Sequence, residues 1–351
     1  RKQGGKSSRK TLKTVVSSAE EKYFDVALDV VGTGNAKAIL LPGHHQLPFS
    51  FKLPQGLPSS FVGKYGVVHY EIRAEIKRPG KKSVNAKTMF TVNGLVDLNT
   101  APGVSQPMEV RKYKKLCCLF CKSGPIGFVL KLPRRGFVPG EYLHFVAELN
   151  NHSTRNVNSV KISLLQKITF KANEKSKFVT KTVCEAKGPA VGRGDSESWS
   201  GDILKIPPIP PSKLATCRII DVEYTLHFEM DLAGPAINLR QDIPITIGSV
   251  PLQTSYNDIR TMQNTAPALS PSAPSQDLVD GPTMFLQDIY PDLPPPSYAD
   301  AVFQDRFGAQ GGDENKAFDG SSEVNITQVE PVTRPGSDTP RYMPKYVTYG
   351  K

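Results

Sequence analysis

The sequence predicts an all-β protein: two immunoglobulin-like antiparallel β-sandwiches followed by a disordered C-terminal tail. Three observations carry this. Apolar and polar residues alternate with period two in segment after segment, the pattern of a strand with one buried and one wet face. Turn signals rich in Pro and Gly punctuate those segments at short intervals, and no long apolar stripe of helical period appears. At Gln253 the composition changes: the last 99 residues hold 12 prolines and long Ser, Gln, Asp and Asn stretches. Such a segment buries too little apolar surface to offset its ordering entropy.

Taken in order, residues 1–13 (RKQGGKSSRKTLK) read as a basic loop or frayed end. FDVALDV then alternates, with Phe24, Val26, Leu28 and Val30 on one face and Asp25 and Asp29 on the other. YEIRAEIK sets Tyr70, Ile72, Ala74 and Ile76 against Glu71, Arg73, Glu75 and Lys77. LHFVAELN places Leu143, Phe145, Ala147 and Leu149 together, and VKISLL repeats the pattern. DVEYTLHFEM aligns Val222, Tyr224, Leu226, Phe228 and Met230; IPITIG adds Ile243, Ile245 and Ile247. Between them LPGHHQLP, LPQGLPSS, RPGKKS, FVPGEY and LAGPA supply the turn dihedrals. The expected organisation is a first sandwich over residues 1–98, a connector over 99–107, a second sandwich over 108–252 and the tail over 253–351. Trp199 is expected in the core, Arg135 to Glu141 as a turn entering a strand, and the Pro-rich Lys205 to Ser212 as a structural loop.

Charge divides the chain in the same place. Of its 44 Lys and Arg and 33 Asp and Glu, residues 253–351 hold 7 and 13, leaving a body of 37 against 20, or +17, and a tail of −6. A basic body suits an anionic partner such as a membrane surface, acidic peptides or phosphate groups, and equally serves plain solubility. No Cys/His finger, heptad or RNP-like motif supports nucleic acid. No run of 18 apolar residues offers a transmembrane helix, and no signal peptide is visible. Five cysteines, an odd number, argue against a disulfide framework.

No metal, cofactor or enzyme site emerges. Cys118-x-x-Cys121, beside Cys117, has the spacing of half a zinc site or a redox pair, but no second pair follows, and Cys184 and Cys217 stand alone. Small apolar residues entering a strand is the favoured reading; lipid attachment beside Lys114, Lys115 and Lys122 and metal or redox chemistry are the others. His44 and His45 sit in a loop with no third ligand nearby, and no nucleophile elbow appears.

The chemistry-bearing motif lies in the tail. DLPPPSYADAVF, Asp292 to Phe303, contains Pro295-Pro296-Ser297-Tyr298, a PPxY sequence. Prolines preset a polyproline II helix, which loses little entropy on docking. WW domains take the proline rings in an aromatic groove and the tyrosine in a second pocket. Near the end, Pro340 to Tyr342 and Pro344 to Tyr346 repeat a Pro-x-Tyr spacing without the double proline, at most a weak second site.

Several stretches resemble the arrestin domain-containing proteins, or α-arrestins. LPFSFKLPQGLPSSFVGKYGVVHYEIRAEIKRP and FTVNGLVDLNT resemble their N-terminal arrestin domain. LCCLFCKSGPIGFVLKLPRRGFVPGEYLHFVAELNNHSTRNV, SWSGDILKIPPIPPS, CRIIDVEYTLHFEMDL and IPITIGSVPL resemble the C-terminal one. The resemblance spans about residues 20 to 303, PPxY included. It implies a non-catalytic adaptor whose arrestin N and C domains engage membrane receptor or transporter cargo. PPxY would recruit a WW-domain HECT ubiquitin ligase, leading to cargo ubiquitination and endocytic sorting. The implied location is the cytoplasm, with recruitment to plasma membrane and endosomes; a ligase-independent sorting or signalling scaffold is the alternative. The family's first strands would precede YFDV, and only about 20 residues do so here. The chain also opens on Arg1, so the first sandwich is expected to be truncated at its N-terminus, with exposed strand edges and core.

Overall fold

A computed structural model describes residues 17–32, 38–116, 123–234, 238–255 and 342–349, and the backbone of 297–300; of residues 202 and 203 it likewise describes the backbone alone. The cysteine stretch Cys117 to Cys121, read from the sequence as small apolar residues entering a strand, therefore lies outside the described residues.

The second sandwich is closed and well filled. Its first sheet has the order β11-β8-β6-β5, built from β5 (Met108–Lys115), β6 (Pro125–Leu132), β8 (Tyr142–Asn151) and β11 (Ser196–Lys205). Its second has the order β10-β9-β12-β13-β7, from β7 (Gly136–Phe137), β9 (Val157–Ala172), β10 (Lys175–Gly188), β12 (Ile220–Leu232) and β13 (Leu239–Ile247). All pairings are antiparallel except β7 with β13, which is parallel. The alternations read from the sequence are the inner faces: Leu143, Phe145, Ala147 and Leu149 on β8, and Val222, Tyr224, Leu226, Phe228 and Met230 on β12, are all buried. Phe128 of β6 meets Phe228 of β12 across the sandwich, ring centroids 4.5 Å apart. Trp199 lies edge-on to Phe145 at 4.9 Å, as the core anchor it was expected to be. Gly188 of β10 lies against the Trp199 ring: a Cβ there would sit 2.5 Å from it.

Buried polar groups in this core are satisfied in pairs. Gln166 of β9 donates to the Tyr224 hydroxyl at 2.8 Å, and that hydroxyl donates to the Pro210 carbonyl at 2.6 Å. The Pro-rich loop 205–212 is thus tied to the sheet, as its position between two strands suggests. The turn joining β9 to β10 needs only two residues, and its Asn173 takes φ 54, a conformation Asn tolerates.

The first part of the chain is built differently. β1 (Phe61–Val62) pairs with β2 (Val67–Val68), and β3 (Tyr70–Ile76) with β4 (Val84–Phe90). Residues 17–32 and 38–60 form no strand among the described residues. The strand expected at Phe24–Val30 is therefore corrected: the alternation is present, but among the described residues no neighbouring strand offers a ladder, and Val26, Leu28 and Val30 are exposed. Its first residue packs on the body, Phe24 stacking on Tyr70 with centroids 5.8 Å apart. β3 forms as expected, yet Ile72 and Ile76 remain exposed because no layer of the described residues covers that face. Among the described residues this half consists of two hairpins and a segment without strand pairing. These hairpins share one core with the second sandwich: Leu57, Phe61, Val68, Tyr70 and Val92 join the cluster that contains Phe170 and Ile220.

Replacing Phe228 with Ala should lower unfolding free energy by about 3–5 kcal/mol, because Phe128 would face a void too well braced to collapse. Tyr224→Phe should cost about 1–3 kcal/mol, since it strands the Pro210 carbonyl and the Gln166 amide. Urea denaturation of the two variants checks both.

Candidate functional site

The junction between the two halves is where the chain is most elaborately fitted. Val96–Leu98 runs beside Ser249 and Val250. Ser249 N donates to Val96 O at 2.9 Å, Val96 N donates to Ser249 Oγ at 2.8 Å, and Leu98 N donates to Val250 O at 3.2 Å. The segment 99–107, expected as a connector, hydrogen-bonds to the second half and buries Val104. Asn99 Nδ2 donates to Pro251 O at 2.9 Å, and Val104 O accepts from both Arg135 N and Gly136 N. Leu98, Val104, Val138 and Leu252 close a second small apolar cluster here.

The turn Arg135 to Glu141 faces this junction. Glu141 is buried; its Oε2 accepts from Val138 N at 2.9 Å. Its Oε1 lies 3.2 Å from Arg134 Nη2, close enough for charge pairing but without hydrogen-bond geometry. Arg134 also donates to the Ser255 hydroxyl and stacks over Phe137 at 4.7 Å. Burial pushes the Glu141 carboxyl above the ordinary carboxylate range, against the pull of Arg134 and the Val138 amide.

Into this junction comes a segment the sequence reading placed in the disordered tail. Residues 342–349 are ordered against the body, with Lys345–Thr348 forming β15. Pro344 and residues 346–349 are all buried. Successive residues of a strand point to opposite sides, so burial of every one means walls on both faces. One wall belongs to the N-terminal half. Tyr342 Oη shares a 2.7 Å hydrogen bond with Thr91 Oγ1, Asn93 Nδ2 donates to Lys345 O at 3.3 Å, and Tyr346 Oη donates to Ser60 O at 3.1 Å. The other belongs to the second sandwich: Tyr349 N donates to Pro139 O at 2.8 Å and Tyr349 Oη to Ser249 O at 2.9 Å. Gly140, at φ +96, allows the approach; a Cβ there would stand 1.6 Å from Tyr349 O.

The predicted tail motif reaches the same place by its backbone. Pro295 and Pro296 lie outside the described residues, but Ser297–Asp300 form β14, antiparallel to β15, with Tyr298 opposite Val347. Of the weaker Pro-x-Tyr repeat, Pro340 lies outside the described residues, whereas Tyr342, Pro344 and Tyr346 sit in the crevice. A WW domain could take Tyr346 only after the strand had left. Sequence reasoning read that repeat as a ligand for another protein; Tyr346 and Tyr349 of YMPKYVTY, three positions apart and so on opposite faces of a strand, were the signal that it also suits a two-walled slot.

The remaining candidates are described in part. Among the described residues no group of three His, Cys, Asp or Glu could hold a metal ion. His45 Nε2 bonds to its own loop at Leu41 O, 2.7 Å away, as a surface loop would. Burial pushes the Cys184 thiol up to about 12, an unreactive thiol. Cys217 Sγ accepts from Ile220 N at 3.3 Å. Cys117, Cys118 and Cys121 lie outside the described residues.

A closed C-terminal sandwich, joined through a tight junction to β-hairpins that share its core, defines a two-domain arrestin-type protein. The family description of the arrestin N-terminal domain matches residues 1–99, and that of the arrestin C-terminal domain matches residues 122–252. Arrestin domain-containing protein 4 of Mus musculus is 33% identical over 296 residues, covering 83% of this chain and 67% of that protein. Its Homo sapiens counterpart is 33% identical over 294 residues, 82% of this chain and 66% of that protein. The thioredoxin-interacting protein of Rattus norvegicus is 35% identical over 217 residues, 61% of this chain and 54% of that protein. The chain belongs to the arrestin domain-containing, or α-arrestin, family. It spans about two thirds of the length of the first two relatives and about half of the third.

The raised Glu141 carboxyl has a sign that can be measured. A carboxyl whose folded pKa lies above its unfolded value contributes stability present below the ordinary value of 4.5 and lost as pH rises through the folded one. Between pH 4.5 and neutrality the natural chain should therefore lose more unfolding free energy than Glu141→Gln; parallel stability–pH curves would contradict the assignment.

Proposed function

We propose that the chain is a non-catalytic adaptor that links membrane-protein cargo to a WW-domain HECT ubiquitin ligase. The observation that carries the reading is the PPxY sequence at Pro295, Pro296 and Tyr298 behind a pair of arrestin domains. Arrestin-family membership supports an adaptor role. In this reading the prolines fill the WW groove and Tyr298 fills its pocket. The ligase then modifies cargo held by the body at plasma membrane and endosomes. The +17 body would favour an anionic bilayer and the basic-residue contacts it offers. A scaffold acting without a ligase would leave cargo ubiquitination independent of Pro295 and Tyr298.

Calorimetric titration of a WW domain into the full chain should show binding that Tyr298→Ala abolishes; an unchanged affinity would refute the site. Phosphorylating Tyr298 in the peptide Asp292–Phe303 should weaken WW binding, because charge would enter an apolar pocket. Titrating the unmodified and phosphorylated peptides side by side checks that direction.

A further inference from the structure

We propose that Tyr342–Tyr349 is a built-in ligand of the interdomain crevice, and that by pairing with Ser297–Asp300 it withholds the PPxY motif from WW domains. The inference rests on the WW-binding reading above.

The crevice is shaped for a strand. It covers both faces of β15, meets the Tyr346 and Tyr349 hydroxyls with the Ser60 and Ser249 carbonyls of opposite walls, and gives backbone contact at Pro139 through a glycine that leaves no room for a side chain. Burial drives the Tyr346 hydroxyl well above its ordinary pKa, in keeping with a neutral donor sealed in the slot. The occupant is on the same chain, so docking is intramolecular and concentration-independent.

The coupling to Tyr298 follows from the ladder. Ser297, Tyr298, Ala299 and Asp300 lie opposite Thr348, Val347, Tyr346 and Lys345. A ladder of two four-residue strands is marginal in water by itself. It persists here because β15 is fixed to the body, so release of β15 dissolves it. A WW domain must enclose Pro295 to Tyr298 as a polyproline II segment, with the tyrosine in its pocket. Ser297 and Tyr298, laid along β15, are in β conformation and occupy the space that the WW domain needs. Strap docked and WW domain bound are therefore alternative states, and anything that competes for the crevice frees the motif.

The test compares one WW domain titrated against the full chain, against full chain carrying Tyr346→Ala and Tyr349→Ala, and against the peptide Asp292–Phe303. A motif held closed nine-tenths of the time binds roughly tenfold more weakly than a free one. The natural chain should therefore bind roughly tenfold or more weakly than the peptide, and the double variant should match the peptide. Equal affinity of natural chain and peptide overturns the proposal. Hydrogen exchange on the natural chain gives a second reading that requires no variant: slow exchange at residues 345–349 supports the docked strap, and fast exchange overturns it. Failure of the peptide itself to bind removes the adaptor reading and the withholding with it, while the exchange result still reports whether the strap docks.

Discussion

Four hydrogen-bonded residues hold this molecule in its working shape. Val96 and Leu98, at the end of the first half, pair with Ser249 and Val250, at the end of the second, so the two ends of the folded body meet side by side. Ser249 is used three ways: its amide bonds Val96, its hydroxyl bonds both Val96 and Gly94, and its carbonyl receives Tyr349. Together with the core that the hairpins share with the second sandwich, that pairing sets the separation of the walls holding Ser60 and Pro139. Its location explains why a short segment with three tyrosines can be buried on both faces although it lies nearly a hundred residues beyond the last strand of the body.

The same junction brings a buried carboxylate to the base of the crevice. Glu141 accepts from Val138, next to the Pro139 that receives Tyr349, and Arg134 ties Glu141 and Ser255 together. A buried ion pair of this kind adds little net stability, since desolvation offsets the attraction, but it fixes geometry. Here it fixes the turn whose Gly140 must remain bare for Tyr349 to approach.

What the sequence revealed divides along a physical line. β8, β12 and β13 were legible because each has sheet neighbours and a facing sheet, so alternation and burial coincide residue for residue. Phe24–Val30 carries the same alternation and forms no strand, because a strand is completed by a partner and alternation says nothing of whether one is present. The WW-ligand proposal for PPxY comes from the sequence alone, because the chemistry it invokes is local: two prolines and a tyrosine at fixed spacing. The crevice was not, because its walls come from Ser60, Thr91, Pro139 and Ser249, residues ordinary in type and scattered over most of the body. Composition placed 342–349 in a low-order tail; only the cleft that receives it makes those residues a strand.

The adaptor reading thus depends on residues 295–298 and is shaped by the junction that their partner strand occupies. The most direct measurement is a pull-down of WW-domain HECT ligases from cells expressing the full chain, natural or carrying Pro296→Ala with Tyr298→Ala. The account predicts ligase recovered with the natural chain and lost with the double variant while the body remains folded. Equal recovery with both chains would contradict it.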